Sequence, residues 1–198
     1  MYHFCKTISI SNVQTEITAN AVSTTYNINK VLIITLKDIN GNVLSGVSVT
    51  VDLNGVKTYT TDKNGQVKVS TKGLAPKKYT AKVTFNGNND YLKSTKNVKV
   101  TVKKATPKLT ANKKTFRKST KTKKFTIVLK DNTQKAIKKG KVTLKVKGKT
   151  YKVTTNSKGK ATFKITKLNK KGTFRATIKY NGNKYFNKVS KNVKIKVY

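Results

Sequence analysis

The feature that most constrains the fold is a long segment that occurs twice. The first copy spans residues 79–102 and the second spans residues 174–197. In each copy apolar and polar residues alternate, an Asn-Gly-Asn sequence interrupts the alternation, and the alternation then resumes. Alternation with a period of two is typical of a strand that buries one face. The segment therefore predicts two half-buried strands joined by a bend, once in each half of the chain.

The residues before each copy match as well, and they predict the other strands of each domain. One of these strands is apolar at every second position in both halves, whereas the intervening positions differ. The shared pattern predicts two sheets packed face to face, with about seven strands in each domain. The matched core residues of this strand are Leu32, Ile34 and Leu36 in the first half and Phe125, Ile127 and Leu129 in the second.

The repeat also sets the expected domain boundaries. Corresponding positions, such as 79 and 174, lie 95 residues apart, and a unit of that length can bury its own core. Residues 1–12 are expected to be a leader or the remnant of a preceding segment. Residues 13–103 are expected to form domain 1, residues 104–107 a short linker, and residues 108–198 a strongly basic domain 2.

Aromatic residues are predicted to pack in the core rather than to form a binding surface. They fall on inward positions of the alternating strands, and the hydroxyl of the first one is expected to bond to nearby backbone, as a tyrosine at a sandwich corner does. These residues are Tyr79, Phe85, Phe125, Phe163, Phe174 and Tyr180.

Net charge is very uneven along the chain. The whole sequence carries +39. Residues 1–103 hold 14 Lys and Arg against 5 Asp and Glu, a net +9, whereas residues 104–198 hold 31 against 1, a net +30. A field of this strength attracts polyanions whatever the fold. Arg117 and Arg175 are the only arginines, and bidentate reading of bases and phosphates favours arginine, so specific nucleic-acid recognition is not expected.

Lysines at outward strand positions of domain 2 are the candidate contacts for a polyanion. A single acidic residue cannot balance the charge of this domain, so weak, salt-sensitive attraction to an anionic cell-wall polymer or glycan is expected. The alternative interpretation is that each lysine is solvated and keeps strands from pairing with other chains. The candidates are Lys145, Lys147, Lys160, Lys164, Lys179, Lys194 and Lys196.

No catalytic, cofactor or metal site is predicted. The acidic residues do not recur as a close pair in both halves, so neither a pair of glycosidase carboxylates nor a catalytic triad can be assembled. Cys5 is the only cysteine and His3 the only histidine, which excludes an internal disulfide and a zinc site built from these two residues. An enzyme is therefore not expected.

Three aspartates admit a second interpretation besides a turn. Asp38 and Asp131 could catalyse a Lys-Asn cross-link, but both stand where a strand gives way to a turn, and an aspartate there usually caps the turn. Asp62 and Asn64 resemble half of a calcium loop. Because Asn156 replaces the charge of Asp62 in the second half, a generic turn is the favoured interpretation.

The repeated segments and two of the predicted turns resemble those of a known family. The pattern Tyr-x-Ala-x-Val-x-Phe-x-Gly-Asn-x-x-x-Tyr from Tyr79 to Tyr91, its variant from Phe174 to Phe186, and the turns at residues 62–65 and 156–159 are similar to bacterial-type immunoglobulin-like repeats. Such repeats occur in adhesin-like surface proteins of bacteria and methanogenic archaea. The resemblance, which covers roughly residues 13–198, implies an all-β fold of two tandem immunoglobulin-like antiparallel β-sandwich domains and no catalytic residues.

The resemblance also implies a role and a location. Such repeats usually serve as spacers, so it implies a stalk or a low-affinity contact at the cell surface, with neighbouring repeats of a larger surface protein as partners. The alternative function is that of a basic protein that binds a polyanion. The sequence contains no recognisable secretory signal and no stretch with the roughly 18 apolar residues of a spanning helix, so an export signal and an anchor are expected outside it.

Overall fold

A computed structural model describes residues 12–198. Residues 1–11, which include His3, Cys5 and nearly all of the predicted leader, lie outside the described residues. The regular structure of residues 12–198 consists of β-strands. The chain divides into two compact units: unit 1 holds residues 12–24 and 28–102, and unit 2 holds residues 103–198 together with residues 25–27.

Unit 1 is a sandwich of two β-sheets. Its strands are β1 Thr15–Ala19, β2 Val22–Thr25, β3 Val31–Asp38, β4 Ser48–Asp52, β5 Val56–Thr60, β6 Gln66–Ser70, β7 Lys78–Phe85 and β8 Ser94–Lys103. A three-stranded sheet has the order β1-β3-β6, and a five-stranded sheet has the order β2-β8-β7-β4-β5.

Unit 2 repeats this arrangement. Its strands are β9 Lys108–Thr110, β10 Lys114–Phe116, β11 Lys123–Lys130, β12 Lys141–Val146, β13 Lys149–Thr154, β14 Lys160–Ile165, β15 Gly172–Tyr180 and β16 Val189–Val197. The three-stranded sheet has the order β14-β11-β9, and the five-stranded sheet has the order β10-β16-β15-β12-β13.

The core positions predicted from the repeat are buried. Leu32 is 0% exposed and its counterpart Phe125 is 1% exposed. In each unit one cluster of apolar side chains from both sheets fills the space between them. Burying one such aliphatic or aromatic side chain completely stabilises the folded state by about 1.5–3 kcal/mol relative to leaving it exposed. The predicted all-β sandwich and the predicted inward faces are therefore confirmed.

The first predicted strand of each domain, residues 13–20 or 106–112, lies in the three-stranded sheet, and the sequence analysis did not foresee the further strand that follows it in the five-stranded sheet. β1 and β9 pair antiparallel with β3 and β11. After Asn20 and Asn112 the chain continues as β2 and β10 in the five-stranded sheets. Asparagine disfavours strand pairing and tolerates a turn, so it suits a crossing between sheets. Each unit consequently has eight strands, and β10 pairs parallel with β16.

The repeated Asn-Gly-Asn sequence makes the same turn in both units. The side-chain oxygens of Asn88 and Asn183 accept hydrogen bonds from the amides two and three residues later, at 3.0 and 2.9 Å in unit 1 and at 2.8 and 2.9 Å in unit 2. Gly87 and Gly182 adopt φ values of +81° and +79°. A Cβ at position 87 would lie 2.7 Å from the carbonyl oxygen of Tyr91. Both the asparagine and the glycine are therefore required by the turn.

Lys123 is a buried cation of unit 2. It is 2% exposed, and its Nζ donates a hydrogen bond to the carbonyl oxygen of Thr120 at 2.7 Å and a longer one to that of Lys118 at 3.5 Å. Lys30, at the corresponding position of unit 1, is exposed. Carbonyl oxygens offset part of the desolvation that a buried ammonium suffers, so Lys123 ties the loop after β10 to the start of β11.

A tyrosine and a phenylalanine exchange places between the two units. The hydroxyl of Tyr79 donates to the carbonyl oxygen of Ala75 at 2.9 Å, as the sequence predicts, and Phe174 occupies this position in unit 2. Conversely, Tyr180 replaces Phe85. Tyr180 is 2% exposed, its hydroxyl has no hydrogen-bond partner among the described residues, and burial raises its pKa.

We expect Tyr180→Phe to leave stability unchanged or to raise it by about 1 kcal/mol, because the substitution removes a buried hydroxyl without a partner. Tyr79→Phe is the matched control and should cost about 1 kcal/mol, because it removes a hydroxyl that is bonded. Urea unfolding of the full chain measures both. A loss of stability in Tyr180→Phe equal to that in Tyr79→Phe would show that the Tyr180 hydroxyl is in fact satisfied.

Candidate functional site

The seven lysines predicted as polyanion contacts lie on three different parts of unit 2. All seven side chains are exposed. Lys147 adopts φ +45° in the turn between β12 and β13. The other six lysines lie in strands. Alternation shows that their side chains point outward but not which sheet each strand joins, because sheet membership depends on pairing between distant parts of the chain. Lys145, Lys179, Lys194 and Lys196 belong to the five-stranded sheet, and Lys160 and Lys164 belong to β14 of the three-stranded sheet.

The outer side of the five-stranded sheet of unit 2 carries seven of the exposed cations that strands contribute. Lys141, Lys152 and Arg175 join the four predicted lysines there, and all three are exposed at outward positions of their strands. The sequence analysis missed them as contacts, although the same alternation of polar and apolar residues points to them. The cationic face is hereafter the set Lys141, Lys145, Lys152, Arg175, Lys179, Lys194 and Lys196.

The cationic face has almost no counter-charge within its own unit. Arg175 stands directly opposite Lys194 on the neighbouring strand, and like charges in that position destabilise a sheet. Asp131 is the only acidic residue of residues 104–198. It is 6% exposed, and its Oδ1 accepts hydrogen bonds from the amides of Thr133 and Lys135 at 2.8 and 3.0 Å. An external anion bound to this face would therefore reduce the repulsion between its cations.

Neutral hydrogen-bonding groups stand between these cations. The hydroxyl of Thr177 donates to Oδ1 of Asn192 at 2.7 Å, directly across the β15–β16 pair. The hydroxyl of Thr143 donates to the carbonyl oxygen of Lys179 at 3.4 Å. The cationic face therefore offers hydroxyl and amide groups beside ammonium groups, which suits a ligand that carries both charge and hydroxyls.

The corresponding face of unit 1 carries a different set of residues. Asp52 stands opposite Lys82, and Thr80 stands opposite Lys99. The pair of Asp52 and Lys82 is charge-balanced, and threonine replaces Arg175 at position 80. The two units therefore share a scaffold and differ in the electrostatics of the same sheet face.

Asp38 and Asp131 cap the turns after β3 and β11, as the sequence predicts. Oδ1 of Asp38 accepts a hydrogen bond from the amide of Asn42 at 2.8 Å, and Oδ2 accepts one from the Asn42 side chain at 2.9 Å. These bonds, above all the one from the side chain of Asn42, lower the pKa of Asp38 although its desolvation opposes them.

The geometry of unit 2 argues against a cross-link through Asp131. The buried lysine of this unit, Lys123, begins β11, whereas Asp131 follows the end of β11. Each strand residue advances the chain by about 3.3 Å, so the two side chains lie at opposite ends of an eight-residue strand.

The turn at Asp62 is a generic turn, as the sequence favoured. Oδ1 of Asp62 accepts hydrogen bonds from the amides of Asn64 and Gln66, each at 2.9 Å. The hydrogen bond from Gln66 is the largest cause of the lowered pKa of Asp62. Asn156 makes the same two bonds in unit 2, at 2.9 and 3.0 Å, so the turn needs an oxygen acceptor and not a charge.

The described residues 12–198 offer no cluster of side chains suited to metal binding. Within that range no group of three or more His, Cys, Asp and Glu side chains could hold a metal ion. A cleft of unit 1 is lined by residues 18–22, 30, 31, 33 and 35, and a cleft of unit 2 by residues 111–113 and 191–194; neither contains an acid, a histidine or a cysteine. Among residues 12–198 there is also no helix that is long and apolar enough to cross a membrane.

Comparison with known proteins gives matches to solved structures only. No family model and no curated protein sequence matches the chain. Invasin, a bacterial integrin-binding protein, is 17% identical, with a TM-score of 0.53 over 93% of this chain and 39% of the invasin chain. A 1.5-MDa bacterial ice-binding adhesin matches at 14% identity and a TM-score of 0.40 over 95% of this chain and 66% of its own, and titin domains Z1Z2 match at 12% and 0.45 over 93% and 96%.

The similarity to invasin shows the fold, and it agrees with the immunoglobulin-like repeats that the sequence resembles. The chain spans 39% of the invasin chain and 66% of the ice-binding adhesin chain.

We expect Asp62→Asn to make unit 1 less sensitive to acid. The folded-state pKa of Asp62 is lowered, so its contribution to stability is present above the ordinary value of about 3.9 and is lost as pH falls through the folded-state pKa. Asparagine accepts the same two hydrogen bonds at every pH. Urea unfolding of the full chain from about pH 2 to about pH 6 should show a shallower loss of stability in the variant.

The reciprocal change, Asn156→Asp, is the matched control, and it should add a loss of stability at low pH to unit 2. Profiles of Asp62→Asn and the unmodified chain that run parallel down to the lowest pH would contradict the assigned role of Asp62.

Proposed function

We propose that the chain is a non-catalytic immunoglobulin-like repeat module of an adhesin-like surface protein, in which it acts as a stalk or spacer or as a low-affinity contact at the cell surface. The observation that carries this proposal is that the two units keep the same core positions and the same turns while their outward residues differ. Repeating a self-contained unit lengthens a protein without requiring a new site in each copy.

The comparison with invasin supports the proposal. Invasin is a bacterial integrin-binding protein, and the match covers 93% of this chain but 39% of the invasin chain. The invasin chain is therefore longer than the part that matches this chain. We therefore expect neighbouring repeats of a larger surface protein as partners, and an extracellular or cell-surface location.

The parallel pairing of β10 with β16 in unit 2 suits a spacer that bears tension. The amide of Tyr198 donates to the carbonyl oxygen of Phe116 at 3.1 Å, and the amide of Lys118 donates to the carbonyl oxygen of Tyr198 at 2.7 Å. Tension applied to the two ends of unit 2 would pull β10 and β16 in opposite directions along their length. The hydrogen bonds between them would then have to break together, and this requires a larger force than breaking them one at a time.

A second candidate function is binding of a polyanion by unit 2, and the cationic face favours it. Seven cations on one sheet face, with a single acid in residues 104–198, produce a strong attraction for anions. Binding measured at low and at raised salt separates the two functions. A spacer shows only diffuse attraction that salt abolishes, whereas a receptor retains a saturable component that discriminates between polymers.

The spacer proposal predicts that Lys118→Pro lowers the force needed to unfold unit 2. Proline lacks the amide hydrogen that bonds to Tyr198, so the backbone bonds that continue the β10–β16 pair lose one member, at a cost of about 1 kcal/mol in solution. Single-molecule stretching of the full chain within a polyprotein measures the force. The control is Lys121→Pro in the same loop, because the amide of Lys121 does not bond to the last residues of the chain, unlike that of Lys118. Equal unfolding forces for the two variants would sink the mechanical role of this pair.

A further inference from the structure

Four cations of the cationic face lie on one diagonal of the five-stranded sheet of unit 2. Lys196, Arg175, Lys145 and Lys152 belong to β16, β15, β12 and β13, which are consecutive neighbours in that sheet. At each step from one strand to the next, the row residue lies two positions along its strand from the residue directly opposite the previous row residue. The shift has the same direction in space at all three steps. The register pairs that define the three steps are Arg175–Lys194, Lys145–Thr177 and Lys152–Thr143.

This diagonal row is evenly spaced. Backbone positions related by one strand and two residues lie about 7–8 Å apart, and all three steps of the row are of this kind. All four side chains are exposed. The row therefore presents one positive charge at each regular step across the whole width of four strands.

The same diagonal of unit 1 contains no cation. Its residues are related by the same register steps, so the backbone geometry is shared. The row of unit 1 carries a net charge of one negative unit, whereas that of unit 2 carries four positive units. In the order of β8, β7, β4 and β5, the residues of unit 1 are Thr101, Thr80, Asp52 and Thr58.

The opposite sheet of unit 2 is also basic, but its cations are not arranged in a row. Lys124 stands opposite Lys164, and Lys130 stands opposite Lys108. These pairs lie near the two ends of β11, with the hydrogen-bonded threonines 126 and 162 between them. Only the five-stranded sheet therefore offers evenly spaced charges to an extended chain.

We infer that the diagonal row binds a linear phosphodiester-linked polyol, a polymer with one phosphate in each short repeating unit. Lysine is a compact cation that binds phosphate as a point charge, and three members of the row are lysines. The hydroxyls of Thr143 and Thr177 lie beside the row and suit the hydroxyls of a polyol.

The aromatic residues of these strands disfavour a nucleic acid on the row. Tyr151 on β13 and Phe174 on β15 are partly buried against the core, so neither side chain offers a free ring face on the outer side. Binding of single-stranded nucleic acid depends on bases stacked on such rings. A polymer with phosphates and no bases therefore matches the surface better. This inference rests on the second candidate function and assigns it a site and a ligand class.

The test compares two variants of the full chain that lose the same charge. The row variant carries Lys196→Thr, Arg175→Thr, Lys145→Thr and Lys152→Thr, and the control variant carries Lys108→Thr, Lys124→Thr, Lys160→Thr and Lys164→Thr on the opposite sheet. Threonine is favourable in strands and already occupies three positions of the row in unit 1. Circular dichroism and thermal unfolding check that both variants fold.

Fluorescently labelled poly(glycerol phosphate) is the probe, titrated at constant salt. The row variant should bind it about 30-fold more weakly, a loss that corresponds to about 2 kcal/mol for the four cations together. The control variant should lose about threefold or less, because only the diffuse field changes. A third variant, Lys145→Thr with Thr154→Lys, keeps the net charge and moves one cation off the row to an exposed position of β13, and it should lose about threefold.

Each other outcome overturns the inference in a distinguishable way. Equal losses in the row and control variants would show diffuse attraction, which leaves polyanion binding intact and removes the site. Tighter binding of oligothymidylate or dextran sulfate than of poly(glycerol phosphate) would replace the polyol with a nucleic acid or a sulfated glycan. Undetectable binding of every polymer by the unmodified chain would end both the inference and the second candidate function.

Discussion

Burial of every second side chain between two sheets is the constraint on which the rest of the structure depends. It fixes strand register, because a slip of one residue would expose the whole apolar set. Leu32 and Phe125 illustrate its strength, since a change from a branched aliphatic to an aromatic side chain leaves the position fully buried in both units. The turns add a second, local constraint. Asn88 and Asn183 each accept hydrogen bonds from the amides two and three residues later in their own unit.

Positions that face outward are free of this constraint, and there the two units diverge. Asp52 and Lys145 occupy the same place on the sheet with opposite charge. Divergence inside is rarer and has a cost: the hydroxyl of Tyr180 lies in the core without a partner, whereas that of Tyr79 reaches a carbonyl at the rim. The fold therefore separates two tasks, with stability assigned to one set of alternating residues and surface chemistry to the other.

The sequence predicts the fold far better than the candidate site. Alternation identifies Leu36, Phe85 and Ile178 as core residues, and all three are buried, because inward and outward positions are a local property of a strand. Sheet membership is not local. Lys164 and Lys194 look alike in sequence yet belong to different sheets, and the opposition of Arg175 and Lys194 follows from pairing register. Strand β10, which follows Asn112, was missed for the same reason, since a crossing between sheets depends on partners distant in the chain.

The pairing of β10 with β16 joins two segments that lie near the beginning and the end of unit 2 in the sequence. During synthesis, β10 leaves the ribosome long before its partner exists, so this edge of the sheet stays open until the final strand emerges. Contacts between residues so far apart in the chain form slowly, because loop closure precedes any gain from pairing. Unit 2 therefore completes its fold only at the end of its own translation.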